Sequence, residues 1–338
     1  MKTGITSYGF YVPQYRIRVA DIARVWGKNA SEIERSLGVM EKAVSTAAED
    51  SLTMAYESSN IAIKKYKQPI GALFFGTESP VYAVNPSSTI LGELLNIGNN
   101  YLAYDTQFAC KAATGALISA LVLVESKQIE SALVVASDKA TSKPHDMLEY
   151  TAASGSVSII VGEKKPILTI EAWESFSSDT PDFWRREGIK YPSHGGRFTG
   201  KPSYFKHIIG SVTTLLSKTK HKPENFAYAV FHMPNGKFPA QVASQLGFSS
   251  RQIKRSLVVS ELGNSYTASA LMGLVATLEY IKPREKILFA SYGSGAGSDA
   301  FIFTATPEIE KKRLFFSKKI SEKKYVDYPT YLKYMKII

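Results

Sequence analysis

Cysteine is almost missing from this chain: Cys110 stands alone among 338 residues. A single thiol excludes a disulfide framework and a zinc site built on several thiolates. It leaves two readings, a buried small hydrophobe or a reactive nucleophile. Long apolar runs are missing as well. The longest nearly apolar stretch, Ala116 to Val124, is interrupted by Ser119 and falls far short of the ~18–20 residues of a spanning helix. The first residues, Met-Lys-Thr-Gly-Ile-Thr, carry no apolar segment with a small-residue cleavage site, so a soluble, cytoplasmic protein in a reducing compartment is expected. A dinucleotide fingerprint is also lacking. The glycine-rich Tyr292-Gly-Ser-Gly-Ala-Gly-Ser-Asp299 runs straight into a β-like segment, whereas that fingerprint needs a helix. A turn whose backbone N–H groups approach a ligand oxygen, as in an oxyanion hole, fits better.

What is present is globular: 44% apolar and 21% charged residues place the chain outside the disordered class. The net charge of +11 raises nucleic acid, a membrane surface or a polyanionic small ligand as partners. The charge is uneven. Residues 308–338 hold nine Lys or Arg and four acids, a balance of +5. Tyr325, Tyr328, Tyr331 and Tyr334 recur there at intervals of three. Basic residues with interleaved aromatics can bind nucleic acid, but the chain carries no other nucleic-acid motif. A solvated extension whose aromatics pack on the body or on a partner is the simpler reading.

The strongest organisational signal is an internal repeat. At an offset of 154, Ala132-Leu-Val-Val-Ala-Ser137 falls on Lys286-Ile-Leu-Phe-Ala-Ser291, and Ala113–Glu125 falls on Thr267–Glu279. The first pair reads as buried strands and the second as buried helices. Leu73–Glu78 falls on Ala227–His232 without a gap. The closing strands, Val157–Val161 and Ala300–Thr304, align at an offset near 143, so about eleven residues within 138–153 are extra in the first half. Residues 173–207, with Pro181, Pro192 and Pro202, read as loop. The chain is therefore α/β, two similar sheets packed around buried helices. Its parts are a first half, residues 1–166, a second half, residues 167–307, and the basic Tyr-rich extension, residues 308–338.

The repeat pairs Cys110 with Asn264, each just before a buried helix, and Glu78 with His232, each at a strand end. Strand ends and helix N-termini are where α/β sheets bind ligands. Taken singly, Glu78 reads as a surface acid, His232 as a loop histidine and Asn264 as a helix cap. A twofold-like arrangement of the halves would bring all four to one cleft. The helix that follows Cys110 is expected to lower its thiol pKa.

At these residues the sequence resembles the thiolase-fold condensing enzymes, and among them the archaeal-type hydroxymethylglutaryl-CoA synthases. The similarity covers nearly the whole chain. It includes Gly9-Phe-Tyr-Val-Pro13, Gly76-Thr-Glu-Ser-Pro80, Phe108-Ala-Cys-Lys-Ala-Ala-Thr-Gly115, Tyr191–Thr199, Phe231-His-Met-Pro-Asn-Gly-Lys237, Gly263-Asn-Ser-Tyr266 and Tyr292-Gly-Ser-Gly295. The resemblance implies a thiolase fold, two mixed five-stranded sheets layered with helices as αβαβα. It implies that acetyl-CoA acylates Cys110, with the thioester oxygen held by N–H groups of Cys110 and Ser294. Glu78 would then remove a methyl proton, and the carbanion would attack acetoacetyl-CoA, its oxygen held by His232 and Asn264. Water would release the product. Asn29, Ala30, Thr151, Thr199 and Lys237 match positions that contact substrate or CoA. No cofactor or metal is implied. A homodimer or larger assembly is implied, and association with an acetoacetyl-CoA thiolase and an OB-fold bridging protein; nucleic acid and membrane are not. Departures occur at Met233, where the family commonly has Gln, at Asn29, where it has Asp, and at Ser45-Thr-Ala-Ala48, where it has a Pro/Asp-bearing loop. Cys, His and Asn together are shared with ketoacyl synthases, so Glu78 is the discriminating residue. A ketoacyl synthase or a non-catalytic scaffold of the same fold are the competing readings.

Overall fold

The computed structural model describes residues 3–64 and 66–338. The strands, in chain order, are β1 (Gly4–Tyr11), β2 (Tyr15–Arg18), β3 (Glu41–Val44), β4 (Ala72–Gly76), β5 (Leu102–Thr106), β6 (Ser131–Lys139), β7 (Ser154–Gly162), β8 (Leu168–Ser177), β9 (Phe183–Trp184), β10 (Ser193–His194), β11 (Tyr228–Phe231), β12 (Lys286–Ala290), β13 (Gly297–Ala305) and β14 (Lys324–Tyr325). Nine form one sheet in the order β11-β12-β13-β8-β1-β7-β6-β4-β5. The repeat is written into it. Ala132 of β6 pairs with Val161 of β7, and Lys286 of β12 pairs with Thr304 of β13. These partners are related by offsets of 154 and 143, so the two halves share one register.

The α/β class and the two-half plan hold, and the strand count differs between the halves. The first supplies five strands, β1, β7, β6, β4 and β5; the second supplies four, β8, β13, β12 and β11. The segment equivalent to β5, Ser256–Ser260, turns instead into a short helix, Val259–Leu262. The halves join where β1 and β8 pair at Gly4–Thr169 and Ile5–Leu168, making one continuous sheet. The stretch expected as loop from 173 is partly strand: β8 runs to Ser177, and Trp173 pairs with Phe301. Alternation of buried and exposed side chains along β8 is what a half-covered strand shows.

Two central helices, Ala112–Glu125 and Ser269–Leu278, pack between the halves. All ten residues of the second are buried, as its uniformly apolar sequence requires. Small residues at their starts allow close approach: a Cβ on Gly76, at the end of β4, would lie 2.5 Å from the Ala113 nitrogen. Outer helices Ser51–Ile63 and Lys206–Thr219 cover the other faces. The Asp50–Thr53 capping box starts the first of these, satisfying backbone donors that would otherwise be orphaned.

The basic extension is part of the body. β14 pairs with β2 to complete the small sheet β14-β2-β3. Asp327 caps the following helix, Tyr328–Tyr334, which buries Tyr328 and Tyr331. No helix among the described residues is long and apolar enough to cross a membrane.

Candidate active site

Glu78 lies two residues past the end of β4 and His232 directly after β11, and Cys110 and Asn264 precede the central helices, as the repeat requires. The turns that present the last two share a feature the sequence did not disclose. Ala109 and Gly263, repeat equivalents at an offset of 154, both have positive φ, +42° and +73°. Glycine takes that conformation freely, whereas for alanine it costs on the order of 1 kcal/mol. That strain is held just before the only thiol.

A cavity of about 160 Å³ opens on these turns. Cys110, His232, Asn264, Thr151, Thr199 and Ser294 line it, together with apolar Leu37, Met147, Leu148, Phe183 and Phe238. Cys110 is 6% exposed and packs with Ala140, Ala152, Tyr266 and Phe183. Glu78 sits behind it, close enough that its carboxyl raises the thiol pKa. Its Oε1 is buried and has no hydrogen-bond partner. Burial, followed by the nearby Asp138 carboxylate, pushes the Glu78 pKa up to about 8. The thiol pKa is raised as well, first by burial and then by Glu78. This corrects the expected lowering: Cys110 lies outside the helix that begins at Ala112, and the cost of a buried thiolate beside a carboxylate outweighs the dipole.

His232 is 1% exposed. Its Nδ1 is buried without a partner, and burial pushes its pKa down to about 3. The ring is neutral at ordinary pH. Its backbone is fixed on both sides, the N–H donating to Ala290 O at 2.9 Å and the carbonyl accepting from Tyr204 OH at 2.7 Å. Asn264 Oδ1 accepts from the Tyr266 N–H at 3.0 Å, which leaves the amide NH₂ as the group free to donate into the cavity. The Asn264 N–H donates to Thr151 O at 2.7 Å, and Asn264 O accepts from Ala153 N at 2.9 Å. The extra segment of the first half thus holds the key residue of the second. The N–H groups of Cys110 and Ser294 have no backbone acceptor among the described residues, so both can serve a ligand oxygen.

Two buried aspartates support the site and were not singled out in the sequence. Asp138 Oδ1 accepts from the N–H of Glu78 and of Ser79 at 2.7 and 3.0 Å, and from the hydroxyls of Thr77 and Ser79. Its Oδ2 accepts from Thr267 N at 3.0 Å, tying the Glu78 turn to the start of the second central helix. Asp182 accepts from Gly295 N at 2.8 Å and Tyr292 OH at 2.7 Å, which fixes the turn carrying Ser294. Neither aspartate stands in a motif; only its fold-borne partners distinguish it from any other acid.

The remaining expected contacts lie outside the cavity lining. Lys237 is exposed, between the lining residues Asn235 and Phe238. Asn29 is exposed and caps the helix Ala30–Leu37 through its Oδ1. It lines a neighbouring cavity of about 420 Å³ that shares Met147. Ala30 packs against the apolar cluster around Ile22 and Val39. Met233 is buried in that same cluster, away from the cavity, where a thioether suits its neighbours better than an amide.

Residues 1–166 match the family model described as hydroxymethylglutaryl-coenzyme A synthase N terminal. Residues 216–305 match that of 3-oxoacyl-[acyl-carrier-protein] synthase III C terminal. The chain is 49% identical over 340 residues to the hydroxymethylglutaryl-CoA synthase of Archaeoglobus fulgidus, covering 99% of each. It is 46% identical to that of Pyrobaculum arsenaticum, covering 100% of this chain and 99% of that one. A solved hydroxymethylglutaryl-CoA synthase complexed with CoA superposes with a TM-score of 0.92 at 25% identity, over 99% of this chain and 90% of the other. With its thiolase fold and full-length relatives of one kind, the chain belongs to the hydroxymethylglutaryl-CoA synthase family.

Proposed function

We propose that the protein condenses acetyl-CoA, acetoacetyl-CoA and water to hydroxymethylglutaryl-CoA and CoA, through an acetyl thioester on Cys110, in the mevalonate route to isoprenoids. The observation that carries the residue assignment is that Cys110, packed among Ala140, Ala152 and Tyr266, and Glu78 are neighbours, each with a raised pKa. The Cys110 sulfur attacks the acetyl thioester carbon and CoA leaves as the thiol, the Cys110 proton passing through a neighbouring base. N–H groups of Cys110 and Ser294 hold the thioester oxygen, which acidifies the acetyl methyl. Glu78, raised to about 8, is basic enough to take a methyl proton once ionised. The carbanion adds to C3 of acetoacetyl-CoA. His232, as a neutral imidazole, and the Asn264 NH₂ stabilise the oxygen that gains charge. Water then cleaves the Cys110 thioester. In this reading Thr151 and Thr199 contact substrate, Lys237 contacts CoA, and Asn29 and Ala30 form a further ligand contact.

The same proposal includes a cytoplasmic homodimer. β5 is a sheet edge, with Leu102 exposed and Tyr82, Val84 and Phe108 exposed in adjoining loops, and such an edge is normally covered. Association with an acetoacetyl-CoA thiolase and an OB-fold bridging protein rests on the family resemblance.

The match of residues 216–305 to a ketoacyl synthase model keeps one alternative, a decarboxylating condensation. A Glu78→Ala variant separates the two. It is expected to acetylate Cys110 yet condense slower by roughly 10²–10⁴-fold. Condensation at the wild-type rate would refute proton abstraction by Glu78.

A further inference from the structure

The Tyr-rich C-terminal segment and a buried lysine, Lys42, take no part in the chemistry above, yet they meet behind the site. Lys42 lies in β3 and is 1% exposed. Its Nζ donates to the Glu149 carbonyl and to Tyr331 OH, the latter at 3.1 Å, and it stands 4.6 Å from the Tyr331 ring centroid. Glu149 is itself fully buried. Its carboxylate accepts from Trp26 Nε1 at 3.0 Å, from His145 N at 2.8 Å and from Tyr328 OH at 2.7 Å. The network is therefore closed at one end by the C-terminal helix and at the other by the short 3₁₀ turn Met147–Tyr150.

That turn leads straight to the site. It ends at Thr151, whose carbonyl holds the Asn264 N–H at 2.7 Å. Lys42 also touches the other side of the same contact. A Cβ on Gly263 would lie 2.7 Å from Lys42 Cβ and 2.6 Å from Thr151 O, so the lysine stem is packed against the residue that precedes Asn264. A buried ammonium is costly: burial pushes Lys42 down to about 7, and an apolar residue of the same length would fill the space without that penalty. What the ammonium adds is a directed hold on the Glu149 carbonyl.

We propose that Lys42 is a positioning residue for Asn264: held by Tyr331, it fixes the 147–151 turn and Gly263 so that the Asn264 amide meets the acceptor carbonyl. The inference rests on Asn264 serving that carbonyl. Since Cys110 and the N–H groups that bind the thioester lie on other elements, loss of the hold separates the two half-reactions.

The test compares acetylation of Cys110 by acetyl-CoA alone with condensation onto acetoacetyl-CoA, in Lys42→Met, Tyr331→Phe and Asn264→Ala. Lys42→Met is expected to acetylate within about twofold of wild type and to condense at least about tenfold slower, since misplacement by an ångström can cost ~10²-fold. Tyr331→Phe, which keeps the ring, is expected to show the same split to a smaller degree. Where Lys42→Met fails to fold, Tyr331→Phe decides by the same criterion. A folded variant with both half-reactions unchanged, or both slowed equally, overturns the positioning role. Slow condensation by Asn264→Ala beside wild-type behaviour of the other two overturns that role alone. Wild-type condensation by Asn264→Ala overturns the assignment of Asn264 and the inference with it.

Discussion

Glu78 has an orphaned buried oxygen and a neighbouring carboxylate, and both features tie catalysis to stability. In the unfolded chain it ionises near pH 4.5, in the folded protein near 8. Between those values the folded protein keeps a proton that the unfolded chain has released, so stability falls as pH rises through the window. Glu78→Gln removes that loss. The variant is expected to be more stable than the parent above pH 8 by on the order of 2 kcal/mol, with the gain shrinking toward pH 4.5; urea unfolding at both pH values measures it. The same ionisation governs the chemistry: the condensation rate is expected to rise with pH about a midpoint near 8, because only the carboxylate can take the methyl proton. A flat rate from pH 6 to 9 would contradict this. The placement of the candidate residues Cys110, Glu78, His232 and Asn264 was legible because a repeat aligned them. Asp138 and Asp182 were not, because a buried acid is recognised by the partners that the fold brings to it. The direction of the thiol shift was misread because the sequence shows the helix and hides the burial.

The repeat also made the elements legible, down to the pairing register of β6–β7 and β12–β13. It failed at β5, whose counterpart Ser256–Ser260 coils into a turn and a short helix. The apolar run Ser-Leu-Val-Val-Ser reads equally well as a strand, and only its packing decides. The C-terminal segment is the other case. Tyrosines at intervals of three read as one face of a helix or as a stacking surface for nucleic acid. In the fold Tyr328 and Tyr331 are buried, and Tyr325 donates to Glu41 at 2.7 Å. Lys139, beside the support residue Asp138, donates to the Tyr334 carbonyl at 3.0 Å. Removal of residues 324–338 uncovers Lys42 and the apolar cluster around Ile17 and Val19. With each large buried side chain worth roughly 1.5–3 kcal/mol, truncation is expected to cost soluble expression or to lower Tm by many degrees. A truncated protein with unchanged Tm would show that the segment only rests on the surface.

At the scale of the whole molecule, the candidate site is shared between the two halves. The first carries Cys110 and Glu78, the second His232 and Asn264, and the sheet joins them through β1 and β8. Ties across the halves keep the arrangement in register. Lys111, next to Cys110, pairs with Asp299 of β13 at 3.0 Å, and Thr114 donates to the same carboxylate at 2.7 Å. Under the proposed function, the +11 charge that first pointed to polyanions would serve the phosphates of CoA, with exposed Lys237 next in the chain to the cavity-lining Asn235 and Phe238. The proposed function turns on one covalent event at the single cysteine. Incubation with labelled acetyl-CoA in the absence of acceptor, followed by peptide mapping, tests that event directly. One acetyl group on the peptide containing Cys110, absent in Cys110→Ala, is the predicted result; an unlabelled protein, or label that persists in Cys110→Ala, would contradict the mechanism.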